Sequence, residues 1–131
     1  MKLEGGNVLG VGVDLTEIDR IRSAHQKHGK LFLDKIFTPA EQELCLAKAN
    51  PYPSLAARFA AKEAVSKALG TGFNEKFGLK SVSVLAGPEG EPLLELDQLA
   101  QKLLEQKGAK KILLSLTHTE NLAEAFAVVV R

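Results

Sequence analysis

Lys111-Ile112-Leu113-Leu114-Ser115-Leu116-Thr117-His118-Thr119-Glu120-Asn121-Leu122-Ala123-Glu124-Ala125-Phe126-Ala127-Val128-Val129-Val130 is the stretch on which the fold turns. It holds two apolar runs, 111–118 and 123–130, joined by Thr119-Glu120-Asn121. So short a connection joins antiparallel neighbours, because parallel strands need a long crossover between them. Within the first run Ile112, Leu114, Leu116 and His118 share one face by alternation. A second hairpin is predicted over 79–85 and 92–96, across Gly87-Pro88-Glu89-Gly90. Helices and strands therefore do not alternate one for one. The class that follows is α+β with an antiparallel sheet, not a doubly wound α/β fold.

Working back toward the start, residues 55–69 read as the longest helix. Ala56, Ala57, Ala60, Ala61, Ala64 and Ala68 favour helix and permit close packing, and Gly70 ends it. Asn50 to Pro53 breaks the chain before it, and Ser54 is the expected cap. Thr38-Pro39-Ala40-Glu41 is a helix start with cap, first-turn proline and capping-box acid in order, predicting a helix over 39–49. Residues 7–15 read as a strand. Leu9, Val11, Val13 and Leu15 share its apolar face, expected to pack into the core, while Gly10, Gly12 and Asp14 lie opposite, leaving bare backbone that another group can approach. Thr16, with Asp19 three residues on, is the expected cap of a helix to about His28, closed by Gly29. Asp97 caps a helix to about Lys107, closed by Gly108.

The chain has 131 residues, of which 45% are hydrophobic and 25% charged, the balance of one ordinary domain spanning 1–131. Seventeen Lys+Arg against sixteen Asp+Glu leave +1, which argues against bulk nucleic-acid or membrane binding by net charge. The single Cys45 excludes an intramolecular disulfide and fits a reducing compartment. Met1-Lys2-Leu3-Glu4-Gly5-Gly6 contains no apolar signal core, and no stretch reaches the roughly 18 apolar residues of a membrane span. A cytoplasmic protein is the expectation.

Three groups of residues carry possible chemistry. The first is Gly10-Val11-Gly12-Val13-Asp14. Leu15 follows Asp14 directly and no third glycine opens a helix, so a dinucleotide fingerprint fails. Asp14 then reads either as a solvated or capping strand-end acid or as a ligand. The second is Arg58 to Gly72. Glu63 and Lys67 are four apart on one face, and Arg58 and Lys62 on an adjoining one. Glu63 with Lys67 is also an ordinary helix ion pair worth a few tenths of a kcal/mol. Yet these charges sit on a helix whose alanines imply burial, so each needs a partner, and bound phosphates and a metal would supply them. Gly70-Thr71-Gly72 is either a plain helix stop or an open approach for a ligand. The third is Ser115-Leu116-Thr117-His118-Thr119, a strand-end histidine between hydroxyls, suited to phosphate or proton relay or simply to a sheet edge. Zinc is set aside, since His25 and His28 lack paired cysteines and Cys45 stands alone.

Taken together these motifs resemble the bacterial holo-acyl-carrier-protein synthases, a branch of the 4'-phosphopantetheinyl transferases. Gly10 to Ile18 resembles their first motif, Arg58 to Gly72 their second and Ser115 to Thr119 their third, with order and spacing matching over nearly the whole chain. The resemblance implies a 4'-phosphopantetheinyl transferase fold, with an antiparallel sheet packed around a long central helix. It implies transfer of the 4'-phosphopantetheine arm of coenzyme A to a serine of apo acyl carrier protein, in fatty-acid biosynthesis, with adenosine 3',5'-bisphosphate as the other product. It makes Asp14 and Glu63 the ligands of Mg2+ and, with Lys67, the catalytic set. Arg58, Lys62, Gly70, Gly72, His118 and Thr119 become coenzyme A contacts. Arg20 is placed where the family docks its acidic carrier, and Arg22 extends that surface. A homotrimer with active sites at subunit interfaces is implied, with neither nucleic acid nor membrane as partner. Beside this stands a binding-module reading, in which Arg58, Lys62 and Lys67 grip a nucleotide or nucleic acid. It lacks aromatic interleaving, for there is one Tyr and no Trp.

Overall fold

The computed structural model describes residues 6–74 and 77–131; the Met1–Gly5 part of the leader-segment reading lies outside the described residues. In chain order the elements are β1 (Val8–Glu17), α1 (Ile18–His28), α2 (Lys30–Ile36), α3 (Pro39–Leu46) and α4 (Tyr52–Leu69), then a 3-10 turn at Leu79–Ser81, β2 (Val82–Ala86), β3 (Pro92–Leu96), α5 (Gln98–Gln106), β4 (Lys111–His118) and β5 (Leu122–Val130). β4 and β5 pair antiparallel as expected, and β1 adds on the other side of β5, giving the order β1-β5-β4. β2 and β3 form a separate two-stranded sheet.

Helix α4 runs through the middle of the molecule. Ala60, Ala61, Ala64 and Val65 have no exposed surface, and they pack with Ala125, Ala127 and Val129 of the large sheet and with Val82 and Val84 of the small one. Its first turns join a second cluster with Ile18, Leu33, Phe37 and Cys45 from α1 to α3. Small side chains on several sides allow this, since each neighbour can come close.

Local chemistry sets most of the boundaries. Thr38 and Glu41 complete a reciprocal capping box on α3. Asp97 accepts from the Ala100 N–H at the start of α5. Gly29, Gly70 and Gly108 close their helices with positive φ of 60°, 73° and 72°. Two expectations are corrected. Thr16 does not cap α1, because β1 continues to Glu17 and the Thr16 hydroxyl turns to Asp14 instead. Ser54 lies inside α4, which begins two residues earlier behind Pro51, and its hydroxyl serves Arg58. Helix α2 follows α1 after Gly29 alone and carries no cap signature of its own.

The faces of β1 are reversed relative to expectation. Its glycine face packs into the core, against the backbone of α4. A Cβ on Gly10 would lie 2.0 Å from the Ala68 carbonyl oxygen, and one on Gly12 2.0 Å from that of Ala64. A β-bulge between Val8 and Gly10 also turns Leu9 toward this core. Val11, Val13 and Leu15 face outward, 57%, 48% and 60% exposed. Alternation shows which residues share a face; it does not say which face is covered.

Candidate active site

The close approach of β1 to α4 creates the site. With no side chains between strand and helix at Gly10 and Gly12, Asp14 is carried to the level of Glu63 and Lys67. Lys67 Nζ donates to the Val13 carbonyl at 3.0 Å and to Asp14 Oδ1 at 3.2 Å. The Thr16 hydroxyl donates to Asp14 Oδ2 at 2.8 Å. The Asp14 side chain is 16% exposed and that of Lys67 53%, so the pair sits at the mouth of the contact, not inside it.

Glu63 completes the group. Its carboxyl is pushed above the ordinary 4.5, first by burial, then by the negative charge of Asp14, against the opposing pull of Lys67. Two acids from distant parts of the sequence therefore feel each other, with one ammonium beside them. Among the described residues no cluster of three or more His, Cys, Asp or Glu is arranged to hold a metal ion. A cation at Asp14 and Glu63 would complete its shell with water and substrate oxygens. That donor set of two hard carboxylates suits Mg2+ and would remove their mutual repulsion.

The other expected residues divide. Gly70 and Gly72 form an open turn at the end of α4, with positive φ and no heavy atom within 4 Å of where a Cβ would stand. His118 and Thr119 are exposed at the end of β4. His118 is registered against Ala123, which pairs with Thr16, so it lies on the Asp14 side of the sheet but two strand spacings away, about 10 Å. Arg20 is exposed and borders a cleft lined by Thr16, Phe32, Ile36 and Phe59, which begins beside Asp14. Arg22 pairs with Asp19 and lies 5.1 Å over the Tyr52 ring.

Arg58 and Lys62 are partnered within the chain. The Lys62 side chain is wholly buried and its ammonium meets Glu41 at 2.7 Å, the Leu79 carbonyl at 2.8 Å and the Val82 carbonyl at 2.6 Å. An ammonium has three hydrogens, and all three are spent. Burial pulls its pKa below the ordinary value while Glu41 pulls the other way. Arg58 is 7% exposed; its Nε donates to the Val84 carbonyl and its Nη1 to the carbonyl and hydroxyl of Ser54. Both cations needed partners, and the protein supplies them. Sequence reasoning missed Thr16 as a support for Asp14 and Glu41 as the counterion of Lys62. A lysine on an alanine-rich buried helix demanded an acid, but no local signal singled out the capping-box acid at 41.

A model of the 4'-phosphopantetheinyl transferase superfamily matches residues 10–127. The chain is 48% identical over 118 residues to a holo-[acyl-carrier-protein] synthase of Chlamydia felis, covering 90% of this chain and 93% of that protein. Among solved structures it resembles the holo-[acyl-carrier-protein] synthase of Neisseria meningitidis, with TM-score 0.89 and 31% identity over 95% of this chain and 99% of that one. It also resembles the Helicobacter pylori enzyme of the same name in complex with coenzyme A, with TM-score 0.80 and 28% identity over 91% and 98%.

Proposed function

The chain belongs to the 4'-phosphopantetheinyl transferase superfamily, and from that premise we infer that it transfers the 4'-phosphopantetheine arm of coenzyme A to a serine hydroxyl of apo acyl carrier protein. The observation that carries the reading into this molecule is the meeting of Asp14, Glu63 and Lys67. The serine oxygen forms a bond to the phosphorus that bears pantetheine, the bond from that phosphorus to the adenosine-side phosphate breaks, and adenosine 3',5'-bisphosphate leaves. Asp14 and Glu63 are the residues that would hold Mg2+, whose chemistry is to neutralise charge on the pyrophosphate. Thr16 keeps one Asp14 oxygen oriented, and Lys67, half exposed beside it, is placed to meet charge on the departing phosphate. Burial and the charge of Asp14 raise the proton affinity of Glu63, which suits it to take up the serine proton directly or through water.

The remaining parts of the site follow the same logic. The Gly70 to Gly72 turn, His118 and Thr119 receive the nucleotide half of coenzyme A. Arg20, at the rim of an apolar cleft that opens beside Asp14, docks an acidic carrier, with Arg22 contributing from a position partly committed to Asp19 and Tyr52. Three copies assemble through the open face of the large sheet, where Val11, Val13, Leu15, Leu113 and Phe126 stand uncovered, so that the site is shared between neighbours. The setting is the cytoplasm, consistent with one buried free cysteine; no helix among the described residues is long and apolar enough to cross a membrane.

The test is to incubate the protein with apo acyl carrier protein, coenzyme A and Mg2+ and to weigh the carrier. The expected result is a gain of one phosphopantetheine on serine, abolished by EDTA. With Arg20→Ala the KM for carrier rises by about tenfold while kcat holds. No mass gain where a control synthase labels the same carrier would defeat the reading.

A further inference from the structure

The chain leaves α4 at Gly70, turns through Thr71 and Gly72, and comes back with Phe77 buried in the core and Leu79 at the 3-10 turn. The far end of that excursion is gripped by Lys62, two turns back from Gly70, through the carbonyls of Leu79 and Val82. Glu41 holds the ammonium from the other side with Oε1, which also accepts from the Thr38 N–H at 2.9 Å, while Oε2 accepts from the Val84 N–H at 2.8 Å. One fully buried ion pair thus ties the start of α3, the middle of α4 and the first residues of β2 together. Neither charge touches solvent, and the ammonium has no hydrogen left for a ligand.

We propose that Glu41 and Lys62 are positioning residues for coenzyme A, which set where the chain rejoins the fold at Leu79 and thereby hold the Gly70-Thr71-Gly72 turn in its binding position. This rests on the function proposed above. It separates Lys62 from Lys67: Lys67 meets substrate charge, whereas Lys62 acts only through the backbone it grips. A buried pair of this kind has a distinctive signature. Removing one partner strands the other charge, whereas removing both does not, so the double variant recovers part of the stability that each single variant loses.

The experiment compares Glu41→Gln, Lys62→Met and Glu41→Gln/Lys62→Met with the unaltered protein. It uses coenzyme A titration by calorimetry, steady-state labelling of carrier, and hydrogen exchange at the Asn74, Phe77 and Val84 amides. Each single variant is expected to weaken coenzyme A binding by about tenfold or more, as a small misplacement of a binding element does, with the KM for carrier within about twofold. The three amides exchange faster in all three variants, and the double variant regains stability but not affinity, because the grip on the Leu79 and Val82 carbonyls is missing from it too. If Lys62→Met loses coenzyme A affinity while the three amides exchange as in the unaltered protein, Lys62 is a direct ligand and the proposal fails. Unchanged affinity in folded single variants overturns it as well. Should the single variants not fold, the double variant decides alone: weakened affinity with faster exchange at the three amides supports the proposal, and unchanged affinity, or weakened affinity with unaltered exchange, refutes it. If the unaltered protein neither binds coenzyme A nor labels carrier, the proposed function falls. The exchange rates then still decide the clamp, with unaltered exchange at Phe77 and Asn74 counting against it.

Discussion

At the scale of single residues the site holds an electrostatic conflict. Glu63 is partly desolvated and faces Asp14, so the folded chain keeps a proton on Glu63 to higher pH than an unfolded glutamate does. Just above the ordinary 4.5 the native state therefore binds more protons than the unfolded one. The stability this group contributes is present below that pH and is lost as pH rises through the elevated folded pKa. Glu63→Gln removes the conflict. In metal-free buffer near neutral pH it should stabilise the protein by about 0.5 kcal/mol, a value kept small because solvent screens a partly exposed pair. That corresponds to a rise in Tm of about 2 °C. The advantage of the variant should shrink as pH falls, since the native carboxyl takes up its proton sooner than an unfolded one. Turnover should fall by at least about a hundredfold, since the charge that cost stability is the one the reaction uses. Melting curves with and without Mg2+ complete the check: at ten times its Kd the ion should stabilise the unaltered protein by about 1.4 kcal/mol, a rise in Tm of about 5 °C, and leave Glu63→Gln unmoved. A variant no more stable than its parent at neutral pH would mean that the two acids do not oppose each other.

At the scale of elements, the decisive contact is β1 lying against α4. Gly10 and Gly12 are there because nothing larger fits: a Cβ on either would sit 2.0 Å from a helix carbonyl oxygen, deep inside van der Waals contact. Gly12→Ala must push strand and helix apart. The expected cost is about 3 kcal/mol, the upper part of the overpacking range, or about 10 °C in Tm. Because the same separation carries Asp14 away from Lys67, turnover at a temperature where the variant is still folded should drop too; equal activity per folded molecule would show that Asp14 is placed by something else. This contact also marks how far the sequence could be read. Caps and stops were legible, because Thr38, Asp97, Gly29, Gly70 and Gly108 act on their own few neighbours. The antiparallel pairing of β4 and β5 was legible from a three-residue connection. The candidate acids were legible as motifs. What covered each face of β1 was not, because the glycine pattern demands a close neighbour without naming it, and the neighbour lies some fifty residues on (as an order of magnitude, well beyond any local signal). The partner of Lys62 was hidden for the same reason: its need for one was visible, but Glu41 became that partner only when α3 and α4 were laid side by side.

For the whole molecule, the remaining question is what covers the outer face of the large sheet. Val11, Val13 and Leu15 of β1, Phe126 of β5 and Leu113 of β4 stand between 46% and 60% exposed on it. The register places Val13 beside Phe126, and Val11 in the row that runs through Val128 to Leu113, so the apolar groups form one patch. Scattered exposed apolar residues are ordinary, but a contiguous patch on one sheet face marks an interaction surface. Covering the exposed half of each side chain would contribute about 1 kcal/mol, and the patch is doubled where two copies meet, which favours association against its cost. A trimer closed on this face would also relieve the separation of His118 from Asp14, because a neighbour's β4 end need not lie two strands away. Phe126→Glu tests both points. Its side chain meets solvent in the single chain, so the fold should survive, with an unchanged circular dichroism spectrum and little loss at low concentration. Light scattering should show three times the chain mass for the unaltered protein and a single chain mass for the variant. Coenzyme A binding should weaken along with assembly, because part of each site is then missing. A protein already single-chain before substitution, or a monomeric variant with full coenzyme A affinity, would leave the site complete within one chain and end the case for sharing.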